Sequence, residues 1–502
     1  MSVNPNAFAS LPDDAQMIQR AVDEAASCGD TVVIPRRNER TGEDLWLLPR
    51  AVKLHTGSTV ILENAHLRLA DGAFDNMFKN DWARTEEAGL FKNRQYDIHI
   101  VGRGCAVLDG GNHNGLVERN AAGSSRFPEI QPKLPYPALA NTMIHLHNAE
   151  RVSVENLRVV NARYWGMTFH FCSFGRVANI HFMTAGGCPN NDGVDLRMGC
   201  QDFIIENITG YTQDDSVALT CLNDRVARVQ GMDDSIHGVV IRNIMTATRC
   251  ANVRLLNHYG RKLYNIIIEN IQSSVETDPA SPIAAAYAYR LPDAERVRPA
   301  METPYWGTFE GGERRAHVCV RIGENGYNDP NNPDSGAKLG DTFNIIVRNV
   351  QARSQYGVSV CRTLCDSSFE NIQMFGDAAC AVYFGGGEFE NLRFSNIGFA
   401  RNTIMREKDR NPCKGNYGYE KPAAVLFGGS VARDVVFDGL ATHPAGGDAF
   451  AGYGDVDAQA RNVCLRTPEA KLVSGEGIRV NAASGCREKL SGGEDIRTDN
   501  EL

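Results

Sequence analysis

The chain has 502 residues and is 42% hydrophobic, enough to bury a sizeable core. Its 52 basic and 61 acidic residues give a net charge of −9, which argues against nucleic acid as a partner. No stretch approaches a membrane span, no signal peptide is visible, and the 14 cysteines lack framework spacing. Reduced thiols and a cytoplasmic location are therefore expected.

Residues 13–28 predict a helix whose apolar face carries Ile18, Ala21, Val22 and Ala25, with an aspartate start suited to its N-terminus. Gly-Asp-Thr-Val-Val-Ile-Pro at 29–35 reads as a first strand. Three strand phrases follow, at Val52–Leu54, Thr59–Leu62 and Ile98–Val101. Residues 111–141 are polar and proline-rich and read as a long loop, as does a second insertion at 276–340.

Between these loops a short phrase keeps returning. It reads Val-Glu-Asn-Leu at 154–157, Ile-Glu-Asn-Ile at 205–208 and Ile-Arg-Asn-Ile at 241–244. It returns with Asn270, Asn349, Asn371 and Asn396, several of them 22 to 27 residues apart. Such a period is that of a solenoid coil. The expected fold is all-β: a single right-handed parallel β-helix with an N-terminal helix cap and asparagines laddered at its turns. Its parts are a cap over 1–50, the β-helix over 51–440, and C-terminal coils and cap over 441–502.

Two acidic phrases stand one coil apart. Asn190-Asn191-Asp192-Gly193 is followed, 22 residues after Asp192, by the Asp214-Asp215 pair behind Gln213. Stacked coils would bring the three carboxylates together, where mutual repulsion favours one holding its proton. A general acid beside a general base is what glycosidic hydrolysis requires. Ordinary turn chemistry, or a calcium site, is the competing reading.

His237 lies 22 residues beyond Asp215 and is a candidate to join them, or simply a histidine opening an apolar strand. Arg254 alternates with apolar neighbours on a predicted strand and is a candidate to hold a sugar hydroxyl or carboxylate. His258, Tyr259 and Trp165 are candidate sugar contacts, and Arg290 comes from the second insertion. His145 and His147 share a strand face, but without a carboxylate they do not define a metal site. No metal and no cofactor is expected.

At these residues the chain resembles the polygalacturonases, glycoside hydrolase family twenty-eight, which are right-handed parallel β-helices. Asn190-Asn191-Asp192 is similar to that family's Asn-Thr-Asp phrase, with Asn191 in place of threonine and so a candidate substrate contact. Gln213-Asp214-Asp215 is similar to its Gly-Asp-Asp phrase. The resemblance implies an inverting, metal-independent hydrolysis, with Asp214 or Asp215 as acid and the remaining aspartates holding the water. The family's Gly-His-Gly maps to Ile236-His237-Gly238 by distance, or near Cys250-Ala251 by strand register. Its Arg-Ile-Lys maps to Arg254-Leu255-Leu256, which lacks the lysine that serves galacturonate. The expected substrate is a plant-type oligosaccharide or polysaccharide, uronic or neutral, with a homo-oligomer compatible with pairing of solenoid flanks. A polysaccharide lyase or intramolecular glycosyl (fructo)transferase on the same fold is the alternative, and a non-catalytic carbohydrate-binding β-helix the second.

Overall fold

A computed structural model describes residues 1–111, 114, 137–184, 190–221, 227–248, 250–257, 260–274, 317–323, 336–375, 378–399, 423–442, 448–466, 473, 474 and 476–483. The chain forms two compact units. The first comprises Met1–Leu219, Asn223–Val239 and Asp278–Trp306; the second comprises Thr220–Leu222, Val240–Thr277 and Gly307–Leu502.

In the first unit the expected cap helix spans Asp14–Cys28. Asp13 caps it by accepting the Gln16 N–H at 2.9 Å, and Gly29 ends it in the left-handed region at φ 69°. Met17, Ile18, Ala21, Val22 and Ala25 are buried, and the helix packs on the strands Thr31–Pro35 and Val52–Leu54. An uncapped solenoid would expose this apolar end to water. Asp14 is buried inside the cap, where Arg40 at 2.7 Å and the Leu47 N–H at 2.7 Å satisfy it.

The coils above the cap pair in parallel. Val154 stands beside Val177 and Val177 beside Ile205; Leu157, Ile180 and Ile208 form the next row. All six are buried, so each coil lays its apolar residues on those of its neighbour. An asparagine stands between the two rows in each coil. Asn156, Asn179 and Asn207 take φ of 57° to 60°, a conformation asparagine tolerates better than most residues. Their amides form a ladder: Asn179 donates to Asn156 and Asn207 to Asn179, each at 2.8 Å. Asn179 belongs to Val-Ala-Asn-Ile, a coil missing from the run of repeats read in the sequence.

The second unit repeats the device. Asn270 donates to Asn243, Asn349 to Asn270, Asn371 to Asn349 and Asn396 to Asn371, at 2.9 to 3.2 Å. Its core stacks aromatic rings: Phe369 lies 4.5 Å from Phe394, and Phe394 4.9 Å from Phe437. Both units are thus all-β and parallel, as expected of a right-handed β-helix.

Only small parts of the two expected loops are described, and those include regular structure. A short helix, Pro137–Ala140, lies within 111–141, and a strand, Val318–Ile322, lies within 276–340. The rest of both insertions falls largely outside the described residues. Strands continue beyond 440, to Ile478–Ala482. Among the described residues the cysteines are free, and no helix is long and apolar enough to cross a membrane.

Candidate active site

Three consecutive turns of the first unit lie side by side. Gly166 N–H donates to Asp192 O at 2.9 Å and Met167 N–H to Gly193 O at 2.9 Å. On the other side, Gln213 and Asp214 N–H both donate to Asn191 O at 3.2 Å, and Gly193 N–H donates to Asp215 O at 2.9 Å. The approach is close enough to demand glycine: a Cβ on Gly193 would stand 2.4 Å from Ser216 O. The 22-residue spacing between the acidic phrases therefore does correspond to neighbouring turns.

Asp192, Asp214 and Asp215 are 5%, 8% and 0% exposed. Asp214 Oδ1 accepts the Asp215 N–H at 3.0 Å, and Thr212 Oγ1 donates to Asp214 O at 2.9 Å. Tyr211 donates its hydroxyl to Gln213 Oε1 at 2.8 Å. This web fixes the acidic turn from both sides. All three carboxyl groups are thus largely shielded from water on adjoining turns.

Asn191 ties its own turn to the neighbouring one. Its amide donates to Ala162 O and, at 3.2 Å, to Tyr164 O. Both donors are spent on backbone, so Asn191 pins the neighbouring turn. That turn carries Tyr164 and Trp165, 4.5 Å apart. Trp165 packs in an apolar cluster with Leu139, Phe171, Met198 and Val229. The Arg197 guanidinium lies 4.2 Å over its ring.

His237 is not brought to the carboxylates. Its N–H donates to Cys200 O at 3.3 Å, and Gly238 packs on Asp202. Those partners follow the strand Val194–Arg197, whereas Asp192 precedes it. Four strand residues separate the two ends by about 13 Å. The sequence count failed because residues 227–232 make a detour, in which Gln230 N–H bonds to Gly89 O at 2.8 Å. Arg254 is half-buried in the second unit, on the strand Ala251–Asn257 beside Arg321. His258, Tyr259 and Arg290 lie outside the described residues.

Two polar residues were missed. Asp195 and Arg197 alternate with buried Val194 and Leu196, so they occupy the opposite strand face, 3.6 Å apart. The period-2 pattern Val-Asp-Leu-Arg was the available signal.

The family described as glycosyl hydrolases family 28 matches residues 120–257. No curated protein sequence matches the chain. Among solved structures, the tailspike protein of E. coli bacteriophage HK620, in complex with a pentasaccharide, is similar at 12% identity and a TM-score of 0.52. That match covers 98% of this chain and 77% of the tailspike. A Yersinia enterocolitica family 28 exopolygalacturonase is similar at 11% identity and a TM-score of 0.42, over 96% of this chain and 77% of its own. PfbA, a surface adhesin of Streptococcus pneumoniae, is similar at 11% identity and 0.47, over 98% and 92%. At such identities the likeness to solved structures speaks for fold alone.

Proposed function

We propose that the chain is a glycoside hydrolase acting through Asp192, Asp214 and Asp215. The observation that carries this reading is the pairing of the two acidic turns, through Asn191 O and Gly193 N–H. It supports one protonated carboxyl group delivering a proton to the leaving oxygen while carboxylates on the adjoining turn hold and activate water. Direct attack by water inverts the anomeric centre and needs no metal. The family match over 120–257 includes all three aspartates and supports the same reaction.

The substrate we assign is an oligosaccharide of plant type, with uronic residues compatible. Long insertions around the coils favour short chains or chain ends over an open polymer. Such a substrate fits a cytoplasmic enzyme. His237 has no role in this scheme.

The test is incubation with acidic and neutral plant oligosaccharides in oxygen-18 water, with and without chelator. A saturated product carrying the label at its new reducing end, formed at equal rate with chelator, is expected. An unsaturated or cyclised product would replace hydrolysis with elimination or transfer. Binding without turnover, unchanged when the three aspartates are neutralised, would replace it with a non-catalytic role.

A further inference from the structure

In the first unit a row of side chains leads from the acidic turns toward the N-terminal coils. Strand register pairs Asp195 with Thr168, Thr168 with His145, and His145 with Lys79. At about 4.8 Å per coil, Lys79 stands roughly 14 Å from Asp195.

Around His145 the chain gathers buried polar groups without hydrogen-bond partners among the described residues. His145 is fully buried, and neither of its ring nitrogens has a hydrogen-bond partner among the described residues. Thr168 Oγ1 and Arg84 Nε are likewise buried and unpartnered. The His170 ring lies 5.3 Å from His145, and the His147 ring 6.3 Å. Lys79 and Arg84 both reach Asp75, at 3.1 and 2.9 Å. One carboxylate between two cations leaves positive charge in excess.

The same excess marks the titration of these groups. Burial holds His145 well below its ordinary value, and His170, His147, Arg84 and Lys79 press it in the same direction. Burial, with Arg84, also lowers Lys79 despite the pull of Asp75.

Three neighbouring imidazoles ordinarily suggest a metal ion. Here two cations adjoin them, and no three of their nitrogens converge within 4.8 Å. Buried unpartnered groups that can donate, beside two cations, suit a negative ligand instead. We propose that Lys79, Arg84, His145 and Thr168 line a second binding site, for an anionic carboxylate, sulfate or phosphate group. The Lys79 and Arg84 side chains are 12% and 13% exposed, so both charges are largely shielded from water. This site stands independently of the reaction proposed above.

The experiment is isothermal titration of the full chain in Tris chloride with sulfate, inorganic phosphate or galacturonate, with galactose as neutral control. One anion per chain is expected to bind, and galactose not to bind. Arg84→Gln and Lys79→Gln should each weaken the anion at least tenfold, whereas Asp192→Asn should leave it unchanged. Preference for galacturonate would identify a sugar carboxylate as the ligand; preference for sulfate or phosphate would identify a tetrahedral anion. The proposal is overturned if no anion binds, or if binding survives in both cation variants. It is also overturned if binding depends on Asp192 and not on Arg84. Circular dichroism checks that each variant folds, and His145→Asn, expected to weaken binding several-fold, replaces any that does not.

Discussion

His55 should bind the cap to the first coils in a pH-dependent way. It follows the strand Val52–Leu54, and its ring reaches Asp81 at 2.8 Å and Asp23 of the cap helix at 2.9 Å. Its pKa is raised from 6.5 to about 9, chiefly by the hydrogen bond to Asp81, against an opposing desolvation and with help from Asp23. A raised folded pKa means that protons bind the folded state more tightly. The contribution is therefore complete below about pH 6.5 and is lost as pH rises through about 9. A fully shielded shift of this size would correspond to about 3 kcal/mol. The side chain is 31% exposed, and solvent screening reduces the expected value to about 1 kcal/mol.

The perturbation is His55→Gln, and the comparison is between pH 6 and pH 9.5. Hydrogen exchange of the cap-helix amides, corrected for intrinsic rates, reads the local opening free energy. At pH 6 the variant should exchange about fivefold faster than the parent, and at pH 9.5 the two should converge. An equal difference at both values would refute the reasoning, since a packing loss does not titrate. Asp23→Asn should reproduce part of the pH 6 effect.

Further outcomes follow from the acidic turns and the ladders. Asp192→Asn, Asp214→Asn and Asp215→Asn should each lower kcat at least about a hundredfold with little change in Tm, whereas His237→Gln should change kcat by less than about threefold. Asn207→Ala should destabilise the first unit by about 1–2 kcal/mol in urea unfolding, because it removes the 2.8 Å bond to Asn179 and leaves alanine at φ 57°. Gly238→Ala should cost a similar amount, about 1–2 kcal/mol, since the residue sits at φ 68° and its Cβ would stand 2.5 Å from Asp202 Oδ1.

Local patterns were legible because local physics decides them. The cap helix could be read from an aspartate, an apolar face and a glycine, and the coils from recurring asparagines. Asn179 escaped because Ala178 occupies the place that glutamate or arginine fills in most repeats, although the turn needs only the asparagine. The acidic turns were legible because no excursion separates Asp192 from Asp214, so residue count and coil count agree. They disagree for His237, where the detour through Gln230 inserts residues that belong to no coil. The Lys79, Arg84 and His145 grouping was not legible. Its coils are neighbours in space, but an excursion of more than sixty residues separates Lys79 and Arg84 from His145 in sequence, and none carries a motif of its own.

The asparagine ladder bears on how such a chain can change. Asn371 reaches Asn349 across 22 residues, while Asn349 reaches Asn270 across 79, yet the two rungs measure 3.0 and 3.2 Å. The scaffold is indifferent to the length of the path between its rungs. Doubling an excursion adds only about 0.6 kcal/mol of closure entropy. Segments between rungs can therefore lengthen, shorten or be exchanged while the coils that anchor them keep their register, so a new loop can be grafted without rebuilding the stack beneath it.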